Sequence, residues 1–205
     1  MKAVVFDLFE TLIDYDEQTS RDFSAAAADL LGRDREEFHT VWRAGRPARD
    51  SGPLLDYLAS IGVVGEPAGE VVELRRVSSL GLLAKPRPGA IETIGELRRR
   101  GLRVGLITVC SEDVVDIWEE SPFAGVFDSV ICSCSCGYLK PDPRIYELSL
   151  RELGVEAVDA IFVGDGANDE LAGAERVGMR AVQLGATRPW GGARIETIPQ
   201  VLELI

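Results

Sequence analysis

Histidine is nearly absent from this 205-residue chain, which contains a single one, His39, beside four cysteines. One histidine cannot form a histidine cluster for zinc. A Ser-His-Asp triad would have to use His39, which lies in the helix-like stretch REEFHTVW, far from any turn suited to a nucleophile. We expect His39 to pack in or on a helix rather than to take part in catalysis.

Basic residues are also scarce, with 22 Lys and Arg against 34 Asp and Glu, for a net charge of −12. An acidic surface repels phosphate backbones and anionic lipids, so we expect neither nucleic acid nor membrane as a partner. No apolar run approaches the roughly 20 residues that span a bilayer. The run Ala3–Phe6 is too short for a signal peptide. These features predict a cytoplasmic protein with reduced cysteines and leave the oligomeric state open.

What the chain does contain is a short β-branched run, KAVVFD, followed by a long helical stretch. Between about Asp16 and Leu83, apolar residues recur at helical spacing and glycines separate the groups. The pattern predicts four helices and no strand there. We therefore expect a helical unit, residues 15–83, inserted into a core made of residues 1–14 and 84–205.

Strands and helices alternate in the rest of the chain. The segments that predict strands are LRVGLIT, FDSVICS, AIFVGD and RAVQL, and TRPWGGARIE predicts a glycine-rich loop. Such alternation favours a parallel sheet covered on both faces. The predicted fold class is therefore α/β, a doubly wound parallel sheet with an α-helical insertion.

Polar side chains follow four of the five predicted strands, at the sheet edge where open α/β folds bind ligands. They are Asp7, Thr11, Thr108, Lys140, Asp165 and Asp169. A carboxylate can act as a nucleophile, and two or three carboxylates can hold Mg²⁺. A lysine and a hydroxyl can hold a phosphoryl group. Each residue alone would suit a turn, a cap or the surface, but their common placement indicates a site.

Four segments resemble the motifs of the haloacid dehalogenase superfamily, and the resemblance covers almost the whole chain. They are VVFDLFETL, LIT ending at Thr108, GYLKPDPRIYE with Lys140, and VGDGANDELAGAERVGM. The resemblance implies a Rossmann-like core. The helical insertion resembles the small cap of that family, which closes over the site and selects the substrate.

The resemblance also implies a role for each polar residue. Asp7 is the expected nucleophile, and Thr11 fixes its loop. Thr108 and Lys140 bind the transferred group and serve catalysis. The expected cofactor is Mg²⁺, and its expected ligands are Asp7, the backbone carbonyl of Phe9, and Asp165, with Asp169 near the metal or its waters.

Two positions depart from the phosphatase pattern of the family. Phe9 stands where a second aspartate usually acts as general acid and base, and Val109 stands where asparagine is common. Dehalogenases of the family carry an aromatic residue at the Phe9 position. They work without metal, however, and typically have no carboxylate at the position of Asp165.

We therefore predict a Mg²⁺-dependent phosphatase that acts on a small phosphorylated metabolite through an aspartyl-phosphate. The alternatives are a 2-haloacid dehalogenase-like enzyme that acts on a halogenated substrate, and a catalytically weak binding or regulatory protein. Several groups remain open as a replacement acid: Glu10, Asp14, Asp16, Glu17, a metal-bound water or the substrate itself.

Two further clusters allow more than one interpretation. CSCSC, residues 132–136, would place three thiols on one face of a strand, where packing is favoured over metal binding. Cys110 follows the second predicted strand and either lines the site or is reactive. Arg43, Arg46 and Arg49 either recognise an anionic substrate under the cap or form a solvated face.

Overall fold

Six parallel strands form one sheet in the computed structural model, which describes residues 1–186 and 188–205. The strands are β1 (Ala3–Phe6), β2 (Arg103–Thr108), β3 (Ser129–Cys132), β4 (Ala160–Gly164), β5 (Arg180–Leu184) and β6 (Ala193–Ile195). Their order across the sheet is β3-β2-β1-β4-β5-β6, with every neighbouring pair parallel. The predicted α/β class and doubly wound sheet are confirmed.

Strand β6 corrects one prediction. It lies within the segment predicted as a glycine-rich loop, and Thr187 of the same segment lies outside the described residues. The strand has only three residues and pairs with β5 along all of them. Its extended conformation is set by this pairing, because three residues are too few to show a periodic pattern.

Five helices without a strand follow β1, where four helices were predicted. They are α1 (Glu17–Leu31), α2 (Arg35–Ala44), α3 (Arg46–Arg49), α4 (Leu54–Ser60) and α5 (Glu66–Leu83). The additional helix is α3, a single turn with proline in its first turn. These helices have their own apolar core, in which Trp42 lies 4.7 Å from Phe23 and 5.6 Å from Tyr57 between ring centroids. We call this helical unit the cap; the boundary of residues 15–83 stays a prediction.

The remaining helices cover the sheet. They are α6 (Ala90–Arg99), α7 (Glu112–Asp116), α8 (Ser133–Cys136), α9 (Pro143–Leu153) and α10 (Glu170–Arg176), with short 3-10 helices at Trp118–Glu120, Ala157–Asp159, Ala167–Asp169 and Ile198–Glu203. No helix in the described part of the chain is long and apolar enough to cross a bilayer.

The central strand β1 is buried on both faces. Val4 and Phe6 pack in a core with α6 and the last 3-10 helix, whereas Ala3 and Val5 pack in a second core with α9 and α10. All of the residues of β1 are fully buried. This double burial explains why KAVVFD reads as an uninterrupted apolar run instead of an alternating one.

The cysteine-rich segment differs from its predicted form. Strand β3 ends at Cys132, and Ser133–Cys136 form the helical turn α8, so the thiols do not line one face of a strand. The hydroxyl of Ser133 accepts a hydrogen bond from Cys110 N at 3.0 Å and donates to Asp50 O at 2.5 Å. These bonds and the left-handed Gly137 (φ 76°) hold the turn. All four cysteines are free.

His39 is buried in the cap, as a packing role predicts. Its Nδ1 lies 2.7 Å from Ser24 Oγ, and the ring is 7% exposed. The distance places a hydrogen bond between α1 and α2, so the single histidine joins two cap helices.

Helix α10 lies close enough to α9 that one position admits only glycine. A Cβ on Gly173 would lie 2.7 Å from the Tyr146 hydroxyl and 2.9 Å from Pro141 Cβ. At an open helical position Gly→Ala stabilises by about 0.5–1 kcal/mol, whereas overpacking a core costs about 1–3 kcal/mol.

We expect Gly173→Ala to lower the free energy of unfolding by about 1–3 kcal/mol, measured by urea denaturation. The matched control is Gly95→Ala in α6, where a Cβ would meet nothing within 4 Å. That control should raise the free energy of unfolding. Equal effects of the two changes would contradict the close approach of α10 to α9.

Candidate active site

The carboxyl edge of the sheet brings together most of the polar residues predicted from the sequence. Asp7 follows β1, Thr108 ends β2 and Asp165 follows β4. Lys140 reaches the same place from the loop before α9, whose N-cap is Asp142. Adjacent parallel strands end at one edge, so residues far apart in the chain meet there.

Asp7 is held at both of its carboxylate oxygens. Lys140 Nζ donates to Oδ1, and Thr11 Oγ1 donates to Oδ2 at 3.1 Å. The Asp7 backbone N–H also donates to Val163 O at 2.9 Å. Asp7 is 5% exposed, so its position is set by these bonds and by burial, as a reacting group requires.

Lys140 also binds Glu170, which the sequence analysis did not select. Lys140 Nζ donates to Glu170 Oε2 at 2.5 Å, and Gly166 N donates to Oε1 at 3.0 Å. Asp169, predicted near the metal, is exposed and lies outside this group, with its backbone in the left-handed region (φ 55°). Glu170 therefore joins the carboxylate cluster, and a place for Asp169 near the metal or its waters stays a prediction.

Helical periodicity could have identified Glu170. It opens α10 and shares a buried face with Gly173 and Ala174, three and four positions on, whereas Asp169 precedes the helix. A second signal is Gly164, since a Cβ there would lie only 2.1 Å from Glu170 Oε1.

Asp165 is oriented by backbone and by β5. Its Oδ1 accepts from Ala167 N at 3.0 Å, and Arg188 Nε lies 3.5 Å from Oδ2. Gln183 on β5 donates its amide to the Asp165 carbonyl at 3.0 Å and is fully buried. Gln183 and Arg188 carry no sequence motif that marks them, because their role depends on how β5 lies beside β4.

Three buried carboxylates crowd this edge. Oxygen atoms of Asp7, Asp165 and Glu170 all lie within 4.8 Å of one another. Burial raises the pKa of Glu170 to about 8, Lys140 opposes the rise and the charge of Asp7 adds to it. Although burial acts in the opposite direction, Asp7 and Glu170 raise the pKa of Lys140 above its ordinary value.

With its pKa raised to about 8, Glu170 is mostly protonated at neutral pH, and one buried ammonium still cannot balance the carboxylates of both Asp7 and Asp165. Arg188 is 53% exposed and reaches only Asp165, so the cluster retains excess negative charge. All the donor atoms are hard oxygens, which is the donor set that Mg²⁺ or another hard divalent cation prefers. The residues present therefore fit a divalent cation at Asp7 and Asp165.

Thr108 is fully buried, and its hydroxyl has no hydrogen-bond partner among the described residues. A buried hydroxyl without a partner is uncommon and is explained when a ligand supplies one. The predicted role of Thr108 in holding a transferred group stays a prediction.

A cavity of about 220 Å³ lies over the cluster. Asp7, Lys140 and Asp165 line its floor, and Tyr15 and Arg46 line it from the cap. Its volume is somewhat below the roughly 300–1,000 Å³ of typical small-molecule sites, which is compatible with a small ligand.

The surroundings of Phe9 disfavour the four acidic side chains that could act as general acid in its place. Glu10 lines the cavity, but its Oε1 accepts from Tyr15 N at 2.6 Å and its Oε2 lies 3.2 Å from Arg87 Nη2. Both oxygens are thus engaged. The other three, Asp14, Asp16 and Glu17, do not line the cavity.

Residues 1–178 match the family of haloacid dehalogenase-like hydrolases. The chain belongs to this family. The resemblance read from the four motifs is confirmed, and the family match spans both the cap and most of the core.

Three comparisons indicate the range of this family. A phosphatase from Mycobacterium tuberculosis is 32% identical over 88% of this chain and 86% of its own length. A glyceraldehyde 3-phosphate phosphatase from Methanopyrus kandleri is 36% identical over 49% of this chain but only 43% of its own length, so the chain spans less than half of that relative. A 2-haloacid dehalogenase from Pseudomonas syringae shares the fold at a TM-score of 0.76, with 26% identity over 100% of this chain and 97% of its own.

We expect MgCl₂ to stabilise the protein against urea unfolding, relative to NaCl of equal ionic strength. A ligand at 100 times its Kd adds about 2.7 kcal/mol to the free energy of unfolding. Asp165→Asn should remove most of this gain, because it removes a carboxylate from the cluster.

The matched control is Asp169→Asn, the same chemical change at the neighbouring exposed carboxylate. It should leave the Mg²⁺-dependent gain intact. Loss of the gain in Asp169→Asn with retention in Asp165→Asn would instead support Asp169 as the metal-side residue.

Proposed function

We propose that the protein is a Mg²⁺-dependent phosphatase that hydrolyses small phosphate esters through an aspartyl-phosphate on Asp7. The observation that supports this most is the carboxylate of Asp165 within 4.8 Å of Asp7 and Glu170 in a buried cluster. Such a cluster would repel an anionic substrate on its own and becomes favourable with a cation. The family relative named as a phosphatase, which covers 88% of the chain, supports the same choice.

In the first step, an oxygen of Asp7 attacks phosphorus, the new O–P bond forms and the ester O–P bond breaks. The electron pair of the broken bond leaves with the alcohol oxygen, which takes a proton from solvent or from the substrate. In the second step, a water oxygen attacks phosphorus and the O–P bond to Asp7 breaks. Its electron pair returns to Asp7 as a carboxylate, and inorganic phosphate leaves with the protons of the water.

The chain's own residues orient and neutralise these groups. Lys140 and Thr11 hold the Asp7 carboxylate, and the charge of Lys140 offsets the negative charge of the incoming phosphoryl group. The free hydroxyl of Thr108 is placed at the end of β2, where it can donate to a phosphoryl oxygen. Mg²⁺ bound by Asp7 and Asp165 would supply further charge neutralisation. The Phe9 carbonyl as a third ligand remains a prediction.

Dehalogenation is the second candidate because Phe9 provides no proton and a halide leaving group needs none. The shared fold with a 2-haloacid dehalogenase is compatible with it. Asp165 argues against it, since an uncompensated carboxylate beside the nucleophile disfavours an anionic haloacid.

We expect phosphate release from p-nitrophenyl phosphate with Mg²⁺, and its loss on adding EDTA. Asp7→Asn should lower kcat by at least about 10³-fold, because the nucleophile is removed. Asp56→Asn, an exposed change in α4, is the control for handling and folding. Chloride release from 2-chloropropionate in EDTA, with no phosphate release from any ester, would identify the dehalogenase instead.

We further expect Phe9→Asp to increase turnover of alkyl phosphates, since general acid–base catalysis is worth about 10²–10⁴-fold. Aryl phosphates should gain less, because their leaving group is already a stable anion. Phe9→Asn is the matched control: it has nearly the same size as aspartate and cannot transfer a proton. An equal gain in both variants would show that the gain comes from removing the bulk of the phenyl ring. It would not come from adding a group that can transfer a proton.

A further inference from the structure

A second, smaller cavity of about 40 Å³ borders the catalytic cavity between the cap and the core. The two cavities share four lining residues, Phe9, Tyr15, Arg46 and Val109. A substrate whose phosphoryl group lies at Asp7 can therefore extend into the smaller cavity. The inference below rests on the proposed phosphatase function.

Three guanidinium groups line the smaller cavity, from Arg46 and Arg49 of α3 and from Arg75 of α5. Of the arginines considered from the sequence, Arg43 is not among them: its side chain is 65% exposed and lies 3.7 Å from Glu17. No sequence pattern marks Arg75, because only the packing of α5 against the other helices brings it to this cavity.

Arg49 is the most buried of the three, at 7% exposure. Its Nη1 donates to the Trp42 carbonyl, and its guanidinium lies 4.3 Å from the Trp42 ring centroid. Its Nε is buried and lies 3.9 Å from Asp50 Oδ1, too far for a hydrogen bond, and it has no hydrogen-bond partner among the described residues. A rigid, buried guanidinium with an unused donor is prepared to receive an anionic ligand.

The local carboxylates do not balance these charges. Asp50 lines the cavity and accepts from Arg46 Nε at 3.1 Å, while Arg75 Nε lies 3.1 Å from Asp113 Oδ2, beneath the cavity lining. Two carboxylates thus face three guanidinium groups. Burial lowers the pKa of Arg49, Asp50 raises it, and the like charges of Arg75 and Arg46 lower it further.

The anion that fits here is small. A cavity needs roughly 10–15 Å³ to hold one water molecule, so a cavity of about 40 Å³ accepts a group the size of a few waters. A carboxylate is flat and matches the fork of donors on a guanidinium. A second phosphoryl group is bulkier and suits the larger catalytic cavity.

We propose that the substrate is a small phosphate ester that carries a carboxylate, which Arg46, Arg49 and Arg75 bind while the phosphoryl group lies at Asp7. Arg46 lines both cavities and faces the junction between the two ends of such a molecule. The carboxylate sets specificity, and the phosphoryl group undergoes the reaction.

The test compares 2-phosphoglycolate with 2-hydroxyethyl phosphate, two esters of equal length in which a neutral hydroxymethyl group replaces the carboxylate. The wild-type protein should show a kcat/KM about tenfold or more higher for 2-phosphoglycolate, as expected for charge-assisted hydrogen bonds. Arg46→Gln and Arg75→Gln should lower this preference about tenfold, mainly through KM. In both variants the fall in kcat/KM should be greater for 2-phosphoglycolate than for 2-hydroxyethyl phosphate, which has no carboxylate to lose.

Arg43→Gln is the matched control, the same change at an exposed cap arginine outside both cavities. It should leave the preference unchanged. Arg49→Gln is not used alone, because Arg49 also supports Trp42. The reactivity of the two esters in solution is the same for every variant, so a change in their ratio reports on the arginines. Calorimetric binding of both esters to Asp7→Asn gives the same comparison without turnover.

Equal kcat/KM for the two esters, or an unchanged ratio in both Arg46→Gln and Arg75→Gln, would overturn the carboxylate proposal. Preference for ethylene glycol bisphosphate over 2-phosphoglycolate would also overturn it, in favour of a second phosphate. In each of these cases hydrolysis of p-nitrophenyl phosphate leaves the phosphatase function standing. Loss of that hydrolysis, with no binding of either ester to Asp7→Asn, would instead remove the proposed function itself.

Discussion

The ammonium of Lys140 between the carboxylates of Asp7 and Glu170 is the interaction on which the rest of the site depends. It joins the end of β1, the loop before α9 and the first turn of α10. Each neighbour is adapted to it: Gly164 leaves space for Glu170, and Tyr146 donates to the Glu170 carbonyl at 2.8 Å. Removing one partner of such a buried group leaves the others uncompensated, so these residues act as a unit.

Charge is distributed unevenly around the substrate cavities. The sheet edge contributes an excess of carboxylates, and the cap contributes an excess of guanidinium groups a short distance away. The carboxylates and Arg49 are buried and Arg75 is nearly so, so solvent screens their charges weakly, whereas the Arg46 side chain is 51% exposed. The chain has a net charge of −12, but Arg46, Arg49 and Arg75 form a locally positive region that the net charge does not reveal.

Much of the fold was predictable because burial leaves a direct trace in the sequence. The uninterrupted apolar run of β1 and the polar residues that follow four of the five predicted strands identified the sheet edge. Strand β6 and the turn after Cys132 were not predictable, because a pairing partner and a serine hydrogen bond decide them. Local propensity carries no information about either.

The same distinction applies within the site. Asp7, Thr11 and Lys140 were found from their position after strands and in motifs, and the structure brings them into contact. Which of Asp169 and Glu170 faces the cluster depends on the residue at which α10 begins. The sequence leaves that first residue ambiguous. The place of Arg75 in the smaller cavity could not be predicted from the sequence. It lies about thirty positions after Arg46, and only the packing of the cap helices brings the two arginines to one cavity.

The hydroxyl of Ser133 has a further consequence for how molecules reach this site. It is a core side chain, fully buried, that donates to the cap at Asp50 O and accepts from the loop after β2 at Cys110 N. A cap that swings away from the sheet at this point must break the bond to Asp50 O. Other bonds join the cap to the core as well, among them Leu54 N to Glu112 Oε2 and Arg75 with Asp113. Asp50 differs from these residues because its carbonyl contacts the core while its carboxylate accepts from Arg46, so one residue links the attachment of the cap to an arginine of the smaller cavity.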